Sequence, residues 1–576
     1  MGVPMSLEKL LSGRLGAAFA AVAGEPVDPV VRRSQHADFQ SDAVLSLARR
    51  LGRPPREVAA SVLGVADLSG VCATAEVSGP GFINLTLADA LLGSLLSTMA
   101  GDPRLGVPAP ERVQTVVVDY SGPNVAKEMH VGHLRSTVLG DAAVRLLEWL
   151  GHRVVRVNHL GDWGTPFGML IEHLLDVGEA GAAQELSVGD LNSFYQAARV
   201  KFDTDAGFAD RSRLRVVALQ GGDERTLRLW RLLVAQSQRY FLTVYARLGV
   251  RLTGDDFVGE SRYNDMLAPV VAELDALGLL QESGGARCVF PQGFPGRDGQ
   301  PVPVIVRKAD GGYGYGATDL AAIRYRAGEL GATRLLYVVG LPQRQHLEMV
   351  FQCARQAGWL RPPARAHHVG FGSVLGTDGR MLRSRAGTGV KLIDLLDEAV
   401  ARAAVLAREK NPGLDEASIG EVAAAVGIGA VKYADLCTDR GKDYVFDWQR
   451  MLSLDGNTAP YLQYAHARIR SIFRKGGVDQ PATGGITVVE PAEHALAVHL
   501  LGFPDVVVTV AETVEFHRLA GYLYGVAGAF SVFFEQCPVL RAQPPVRASR
   551  LALCELTARV LRQGLYLLGI ATPDRM

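Results

Sequence analysis

The sequence lacks the features that mark secreted, fibrous and membrane proteins. Its six cysteines are scattered without a C-x-x-C pair, which argues against a disulfide framework or a zinc ribbon and is typical of a reducing compartment. It has no internal repeat and no low-complexity tract, and we expect no membrane-spanning segment. Lysine plus arginine and aspartate plus glutamate both number 60, so the total charge does not indicate a polyanionic partner. We therefore expect a cytoplasmic protein.

The composition is that of a folded chain with several domains. Hydrophobic residues make up 48% and charged residues 21% of the 576 residues, enough for several domains of ~100–200 residues each. Helical patterns, followed by a β-like run around the turn Gly79-Pro80-Gly81, predict a small α+β domain at the start. A segment rich in proline and glycine, residues 101–111, links this domain to the next one.

An α/β pattern begins after this link. The run VQTVVVDY predicts a buried parallel strand, an apolar stripe from Val131 predicts a helix closed by Gly151, and RVVRVNHL predicts a second strand. Such a β-α-β unit is typical of a doubly wound parallel sheet. Strand-like runs recur at residues 302–308, 334–340 and 367–376.

We therefore predict a Rossmann-type α/β domain, preceded by a small α+β domain and followed by an all-α bundle. Residues 175–300 are mostly helical and polar, and we interpret them as an insertion between the two halves of the sheet. Helical patterns fill the chain from about residue 395 onward. The predicted boundaries are 1–108 for the first domain, 109–395 for the α/β domain with its insertion at about 175–300, 396–457 for a helical connecting region and 458–576 for the bundle.

Two histidines come after the first predicted strand, in the run SGPNVAKEMHVGHLRST. His130 and His133 lie three residues apart where the helix begins, with Gly132 between them. A metal site would need further ligands, and Asp141 and His159 match no zinc spacing. Burial in the core is disfavoured, because ligands bind at the carboxyl ends of parallel strands. A helix N-terminus offers N–H groups and partial positive charge to an anion, so we interpret the pair as a nucleotide-phosphate site.

The residues around the histidines carry a resemblance that extends along the chain. DYSGPNVAKEMHVGHLRST resembles the HIGH signature of class I aminoacyl-tRNA synthetases, in the extended form of the arginyl-tRNA synthetases. Matches to that family continue in order through GPGFINL in the first domain, and through NHLGDWGTPFGML, YGATDLAAIRYR, QRQH, GSVLGTDGRMLRSRAGTGVKLIDLLDEA, VKYADL, LDGNTAPYLQYAHARIRSI, HRLAGYLYGVAGAFSVFFEQCPVL and GLYLLGIATPDRM.

This resemblance implies the ATP-dependent ligation of arginine to tRNA. The arginine carboxylate attacks the α-phosphate of ATP, pyrophosphate leaves, and the arginyl group then passes to the terminal ribose of tRNA. His130 and His133 are expected to contact ATP and the pentacoordinate phosphorus transition state, and Gly132, without a Cβ, would let the base approach the backbone. Catalysis then rests on positioning and charge stabilisation. We expect Mg²⁺ to accompany ATP and expect no structural metal.

The second phosphate motif of the family, KMSKS, is degenerate here. Its five positions fall on residues 381–385, which read MLRSR, so the usual catalytic lysine is absent. By the resemblance, Arg383 and Arg385 neutralise pyrophosphate, Ser384 contacts ATP, and Lys127 matches a lysine thought to compensate for the missing one. On charge pattern alone, the RSR run is an ordinary basic turn and Lys127 is a solvated loop lysine.

Recognition of arginine requires planar acceptors for its guanidinium, which means carboxylates. Asp119 ends a strand and Asp319 opens a helix, so both are expected to face the cleft above the sheet. Taken alone, Asp319 is equally well explained as a favourable charge at a helix N-terminus. Gly122 stands where the family often has serine or alanine, from which we expect a looser loop or the loss of one hydroxyl contact. The positions that match the arginine pocket of the family are Asp119, Asn124, Tyr315, Asp319 and Gln343.

The C-terminal bundle resembles the anticodon-binding domain of the same family. The run YAHARIRSIFRK places several basic residues on one helix, near Tyr461 and Tyr464, and we assign them to tRNA binding. A solvated helix face explains the same pattern. The first domain resembles the additional domain that contacts the tRNA elbow. The residues assigned to tRNA binding are Arg468, Arg470, Arg474 and Lys475.

Three other functions are compatible with parts of these motifs. A duplicated paralog would serve resistance or a biosynthetic pathway, and a non-catalytic relative would only bind tRNA. The presence of both His130 and His133 disfavours the non-catalytic relative. An unrelated nucleotidylyltransferase would leave the helical C-terminal half unexplained. We expect a monomer whose partners are tRNA(Arg), L-arginine and ATP.

Overall fold

The chain divides into two compact units. The structure, a computed structural model, describes residues 6–178, 191–296, 299–382, 390–410, 412–478 and 485–576. We call Pro110–Leu452 together with Leu567–Ile570 the sheet unit, and Met1–Ala109, Ser453–Tyr566 and Ala571–Met576 the terminal unit. The segment Leu567–Ile570 thus belongs to the sheet unit, although the residues on both sides of it belong to the terminal unit.

The described residues form fourteen strands and twenty α-helices. The strands are β1 (Val31–Arg33), β2 (Phe39–Ser41), β3 (Cys72–Ser78), β4 (Phe82–Leu87), β5 (Thr115–Asp119), β6 (Arg153–Leu160), β7 (Phe257–Gly259), β8 (Gln281–Ser283), β9 (Ala286–Val289), β10 (Val304–Arg307), β11 (Arg334–Tyr337), β12 (Arg365–His368), β13 (Val374–Leu375) and β14 (Tyr444–Val445). The helices of the first part of the chain are α1 (Leu7–Ala23), α2 (Val44–Leu51), α3 (Pro55–Val65), α4 (Asp89–Gly101), α5 (Leu134–Leu150), α6 (Thr165–Val177), α7 (Leu191–Thr204), α8 (Ala206–Gln220), α9 (Glu224–Leu248) and α10 (Asn264–Ala276). Those of the second part are α11 (Tyr315–Gly328), α12 (Arg344–Gln356), α13 (Leu392–Lys410), α14 (Glu416–Leu436), α15 (Trp448–Met451), α16 (Ala459–Gly476), α17 (Pro491–Leu500), α18 (Phe503–Thr513), α19 (Phe516–Gln536) and α20 (Pro544–Leu567).

A five-stranded parallel sheet forms the centre of the sheet unit. Its strands lie in the order β12-β11-β5-β6-β7, and every neighbouring pair is parallel. The chain passes from β5 to β6 on one side and later reaches β11 on the other side of β5. The strand order therefore reverses at β5, and ligands of doubly wound sheets bind outside the carboxyl ends of the strands at such a point.

Helix α5 positions the histidine pair because its sequence makes it a buried helix with a defined end. Apolar residues recur along it, and most of its side chains are buried. Gly151 closes it with φ of 102°, a left-handed conformation that glycine adopts without steric cost. This helix connects β5 to β6, which are hydrogen-bonded neighbours. The β-α-β unit predicted from the sequence is therefore present.

Two strands differ from the sequence prediction. The run at residues 302–308 was expected in the parallel sheet, but Val304–Arg307 pairs antiparallel with β9 in a separate three-stranded sheet. Gly284 and Gly285, with φ of 58° and 76°, make the turn that pairs β8 with β9, a geometry typical of a two-residue hairpin. The fifth strand of the parallel sheet is instead Phe257–Gly259, inside the range predicted as a helical insertion. In the part of that range that the structure describes, the helices α7, α8, α9 and α10 are followed by the strands β8 and β9, so the range is mostly helical but not entirely so.

The chain beyond residue 395 is mainly helical, as predicted, with one exception. Tyr444–Val445 forms a two-residue parallel bridge with β13. In the terminal unit, α1–α4 accompany an antiparallel sheet of order β1-β2-β4-β3, and α16–α20 make up the C-terminal helices.

Two helical segments were overlooked as membrane-span candidates in the sequence. Within the described residues, Glu416–Leu436 and Pro491–Thr513 are long and apolar enough to cross a bilayer by length and composition. Their most apolar windows are 56% and 50% buried inside the structure, and core helices pass the same test. We therefore regard both as weak evidence for a membrane protein.

A buried lysine fixes the segment Leu567–Ile570 to the sheet unit. The Lys432 side chain on α14 is 1% exposed, and its Nζ donates to the carbonyl of Gly569 at 2.7 Å. Its nearest carboxylate oxygen, on Asp141, is 4.0 Å away. Burial lowers the pKa of Lys432 to about 8, because the charged ammonium is poorly solvated there.

Candidate active site

Strand β5 ends with Asp119 at the carboxyl end of the parallel sheet, and a strained loop comes directly after it. Ser121, Gly122 and Ala126 have φ values of 71°, 53° and 61°, in the left-handed region that costs energy for residues other than glycine. The loop presents the exposed side chain of Asn124. Glycine at position 122 therefore suits the backbone conformation it occupies, and a serine or alanine there would add strain.

The two histidines lie side by side at the start of α5. A short 3₁₀ turn, Val131–His133, precedes the helix, and the ring centroids of His130 and His133 are 4.2 Å apart. A Cβ added to Gly132 would come within 2.7 Å of the His130 ring. Glycine at position 132 thus leaves room for the His130 ring in this conformation, a reason that differs from the expected close approach of a base.

Backbone hydrogen bonds define the tautomers of these histidines. Nδ1 of His130 accepts from the N–H of Gly132 at 3.0 Å, and Nδ1 of His133 accepts from the N–H of His130 at 3.2 Å. A neutral imidazole whose Nδ1 accepts carries its hydrogen on Nε2. Desolvation and the charge of Lys127 lower the pKa of His130, and desolvation, with a smaller effect of His130, lowers the pKa of His133 to about 4. At neutral pH each ring therefore offers one Nε2–H donor.

Lys127 lies near the histidines and packs against an aromatic ring. Its Nζ is 4.5 Å from the centroid of the Tyr195 ring, a cation–π contact with a helix of the insertion. The neighbouring Glu128 forms an ion pair with Lys391 at 2.8 Å, and the backbone of Lys391 pairs with that of His130. The KMSKS-type residues Arg383, Ser384 and Arg385 lie outside the described residues.

Asp119 is paired inside the protein. Its Oδ2 lies 2.7 Å from Nη1 of Arg326, and both side chains are buried or nearly so. Helix α11 carries this arginine, so the ion pair joins α11 to the end of β5. A carboxylate has two oxygens with several lone pairs, and Asp119 therefore retains acceptor capacity for a second cationic group.

Asp319 contacts a histidine that the sequence patterns had not singled out. Its Oδ2 lies 2.6 Å from Nε2 of His346, which raises the pKa of that histidine. Tyr315, at the start of the same helix α11, is 76% exposed, and Gln343 is exposed in the turn after β11. Asn124, Tyr315 and Gln343 thus present exposed side chains close to carboxyl ends of strands or to helix N-termini.

Further acidic groups surround Asp319. Burial, and then the charges of Asp162 and Asp319, raise the pKa of Glu260 to about 8. Burial also raises the pKa of Tyr337, and the charges of Asp119 and Asp319 add to this effect. Asp119 and Asp319 therefore act on one common tyrosine, and Glu260 adds a third carboxyl group next to Asp319. Such a cluster of carboxylates suits a cationic ligand.

The basic residues assigned to tRNA lie on α16 in the terminal unit, and internal partners hold three of them. Arg470 forms an ion pair with Glu555 of α20, and Nη1 of Arg474 donates to the backbone carbonyl of Asp574 at 3.0 Å. The guanidinium of Arg468 lies 4.4 Å from the ring centroid of Phe534, and Lys475 is exposed. The helix is therefore only in part a solvated basic face.

Three family models match consecutive segments of this chain. The family model for "Arginyl tRNA synthetase N terminal domain" matches residues 5–87, "tRNA synthetases class I (R), catalytic domain" matches 95–448, and "DALR anticodon binding domain" matches 462–576. An arginine–tRNA ligase of Thermobifida fusca is 56% identical over 573 residues, covering 99% of each chain. One of Streptomyces coelicolor is 48% identical over 579 residues, covering 99% of this chain and 98% of its own.

The chain belongs to the arginyl-tRNA synthetase family. Among solved structures, the arginyl-tRNA synthetase of Plasmodium falciparum aligns with a TM-score of 0.86 and 28% identity over 100% of both chains. That of Thermus thermophilus aligns with a TM-score of 0.81 and 27% identity, over 99% of this chain and 100% of its own. The predictions of family, enzyme class and fold class are confirmed.

Sequence reasoning overlooked three groups that contact or influence the predicted site residues. His346 lies within the QRQH match and Arg326 within YGATDLAAIRYR, but neither was assigned a role. Glu260 comes after β7, a three-residue strand that no periodicity indicates. In the sequence this residue is only an acid directly after Gly259, and nothing in the pattern around it indicates a site.

Proposed function

We propose that the carboxyl edge of the parallel sheet is the site at which this chain joins L-arginine to tRNA with ATP. In the first step a carboxylate oxygen of arginine bonds to the α-phosphorus, and the bond to pyrophosphate breaks. In the second step a ribose hydroxyl of the tRNA attacks the arginyl carbonyl, and AMP leaves. The observation that carries the proposal is the pair of Nε2–H donors at the start of α5, with a carboxylate cluster at the same sheet.

In this site the histidines serve the phosphate chemistry. The Nε2–H groups of His130 and His133 donate to phosphate oxygens as charge develops, and both remain neutral donors at physiological pH because their pKa values are lowered. Lys127 supplies positive charge close by. Arg383 and Arg385 neutralise pyrophosphate and Ser384 contacts ATP, as the family resemblance implies.

The arginine lies between the histidines and the acidic cluster. Its carboxylate has to reach the α-phosphate, so its backbone end lies near Asn124 and Asp119 at the end of β5, with Gln343 from the neighbouring turn. Its guanidinium then extends to the carboxylates of Asp319 and Glu260, beside the exposed ring of Tyr315. A bound guanidinium would lower the pKa of Glu260 again, because an opposite charge favours the ionised carboxylate.

The terminal unit is proposed to hold the tRNA. Residues 1–108 would contact the tRNA elbow and residues 458–576 the anticodon, with 109–395 as the catalytic domain and 396–457 as the connecting region. On α16, Lys475 is exposed and suits phosphate contact, whereas Arg468, Arg470 and Arg474 would have to leave or share their present partners.

The remaining partners are set by the reaction. Mg²⁺ would arrive with the phosphates of ATP, since that ion prefers substrate phosphates and one or two carboxylates to an all-protein cage. Within the described residues no group of three or more metal-ligating side chains is present. We propose that the enzyme acts as a monomer in the cytoplasm.

The test is aminoacylation with purified protein, ATP, labelled arginine and total tRNA. We expect arginine-dependent labelling of acid-precipitable tRNA, and no labelling with the other amino acids or without ATP. Absence of labelling under conditions that support a known arginyl-tRNA synthetase would overturn the proposal. A paralog devoted to another pathway is not favoured, since identity to ligases extends over 99% of the chain.

A further inference from the structure

The loop that carries Asn124 has a conformation that needs external support. Ser121 and Ala126 are not glycines, yet both have positive φ, and Gly122 between them does as well. Each non-glycine residue held in this region costs on the order of 1–3 kcal/mol, and such conformations persist only where the surroundings hold them. The partners of this loop therefore decide whether Asn124 is presented in a fixed place.

The hydroxyl of Tyr245 is one of these partners. It lies on α9 of the insertion, more than a hundred residues after the loop, and forms a 2.7 Å hydrogen bond with Oγ of Ser121. It also accepts from Nδ2 of Asn158 at 2.8 Å, while Oδ1 of Asn158 accepts from the N–H of Gly122 at 2.9 Å. The Tyr245 hydroxyl thus contacts the side chain of Ser121 directly. It also contacts the side chain of Asn158, which in turn holds the backbone of Gly122.

The same network continues to the catalytic helix. Oγ1 of Thr137 lies 2.9 Å from Oγ of Ser121 and 2.7 Å from the carbonyl oxygen of His133. Oγ of Ser136 accepts from the N–H of Ser121 at 2.8 Å and donates to the carbonyl of Val338 at 2.6 Å. Hydrogen bonds therefore run from Tyr245 through Ser121 to the first turn of α5 and to the end of β11.

Helix α9 also holds the far end of the loop. The N–H of Ala126, the second strained residue, donates to Oγ of Ser237 at 2.9 Å. Ser237 lies on the same helix as Tyr245, about two turns earlier, so one rigid element fixes both ends of the loop. Tyr245, Thr137, Asn158 and Ser237 are all buried, with exposures of 1% or less, so water cannot replace a lost partner easily.

We propose that Tyr245 is a positioning residue for the reaction, which holds the Asn124 loop and the start of α5 in register through its hydroxyl. This inference rests on the proposed function, because it gives the loop and the histidines their roles in binding arginine and stabilising the transition state. Tyr245 itself does not touch the substrates. It acts through Ser121 and Asn158 and, beyond them, through Thr137.

The variant Tyr245→Phe removes only the hydroxyl oxygen. We expect the KM for arginine to rise and kcat to fall by about tenfold each, because small displacements of positioned groups are costly to the rate. The KM for ATP should stay within about twofold, since the network ends at the backbone of His133 and not at its imidazole. The assay is steady-state aminoacylation with total tRNA at saturating and subsaturating arginine.

Tyr120→Phe is the matched control. Tyr120 is as buried as Tyr245 and precedes the same loop, but its hydroxyl has no hydrogen-bond partner among the residues that the structure describes. The kcat of this variant and its KM for arginine should stay at the wild-type values. If the wild-type enzyme is active and Tyr245→Phe also keeps the wild-type kcat and KM for arginine, the inference about Tyr245 is overturned while the proposed function stands. An inactive wild-type enzyme would overturn the proposed function instead.

A double-mutant cycle with Ser121→Ala tests the route of the effect. If Tyr245 acts through Ser121, the double variant should lose little more activity than either single variant. Losses that multiply would show that the two side chains act separately and would contradict the proposal. Ser121→Ala also serves as the first test if Tyr245→Phe does not fold, with the same rise expected in the arginine KM. A lower thermal midpoint with unchanged kinetic constants would mark a purely structural role and reject the inference.

Discussion

Nη1 of Arg326 lies 2.7 Å from Oδ2 of Asp119, and the arginine side chain is 1% exposed. The protein thus places its own guanidinium against one of the carboxylates expected to receive the substrate. One side of the Asp119 carboxylate is therefore already occupied by this guanidinium. Asp319, which contacts His346, and Glu260 are then the acidic groups expected to receive the substrate guanidinium, and the predicted pocket is asymmetric.

Arg326→Met tests the importance of this pair for the fold. We expect a loss of about 3–5 kcal/mol in the free energy of unfolding, because the carboxylate of Asp119 would remain largely buried without its partner. The measurement is denaturant unfolding of the purified variant. Arg344→Met, which breaks the exposed pair with Glu348, should cost less than about 1 kcal/mol. Equal losses in the two variants would contradict this account.

Asp319→Ala is expected to raise the KM for arginine at least ~10-fold, through the loss of a charged partner for the guanidinium. The KM for ATP should not change. The loss of the contact with His346 would also lower the pKa of that histidine towards its ordinary value. Initial rates of aminoacylation at varied arginine provide the measurement.

Glu348→Ala is the control for this experiment, because it removes an exposed carboxylate from the neighbouring helix α12. Its arginine KM should equal that of the wild type. An unchanged KM in Asp319→Ala would remove Asp319 from the pocket.

The sequence predicts the local elements of the site better than their partners. The helix α5, its end at Gly151 and the strands on both sides of it are set by residue periodicity, which acts over neighbouring turns. The run at residues 302–308 has the composition of a strand, but it pairs antiparallel with β9, a strand of the hairpin at Gly284 and Gly285. The composition of a strand does not determine its pairing partner.

The same limit applies to the side chains of the site. Tyr245 lies in an apolar helical stripe and is indistinguishable there from a core aromatic, because its hydroxyl partners are far away in sequence. Arg470 belongs to a basic helical run, and only the fold reveals the opposing Glu555. The histidine pair could be predicted because the motif is local and the N-terminus of a helix supplies its own chemistry.

His133→Ala should lower the rate of aminoacylation by ~10²–10³-fold, as for the loss of one well-placed donor. The affinity for tRNA should change little, and a filter-binding titration measures it. Because the pKa of His133 is about 4, its imidazole stays neutral between pH 5.5 and 8, and it should produce no titration of the rate in that range.

His367→Ala provides the comparison, since this histidine is exposed on β12 of the same sheet. It should retain the wild-type rate. If His133→Ala lost tRNA affinity and rate to the same extent, misfolding would explain the result and the catalytic assignment would not stand.

His494 gives the terminal unit a pH-dependent stability. Its Nδ1 lies 2.6 Å from Oδ1 of Asp89, and its Nε2 lies 2.9 Å from Oδ2 of Asp38. The hydrogen bond with Asp38 is the largest cause that raises the pKa of His494 to about 9. The folded pKa exceeds the ordinary value of about 6.5, so the stabilisation is fully present below about pH 6.5 and is lost as pH rises through 9.

Thermal midpoints measured from pH 6 to 9.5 should therefore fall more steeply in the wild type than in His494→Gln, which cannot titrate. His36→Gln, a change at an exposed histidine, should keep the wild-type profile. Parallel profiles for the wild type and His494→Gln would show that the imidazolium contributes nothing in this range.

The segment Leu567–Ile570 has a consequence for how the enzyme is made. On the ribosome the chain is made from its N-terminus, so Gly569, whose carbonyl accepts a hydrogen bond from the Lys432 ammonium, is synthesised long after Lys432. A nascent chain in which both histidines have been synthesised has the more distant acceptor, the carbonyl of Gly249 at 3.5 Å, but still lacks the closer one on Gly569. The sheet unit therefore reaches its final packing only after the helices of the terminal unit have been synthesised.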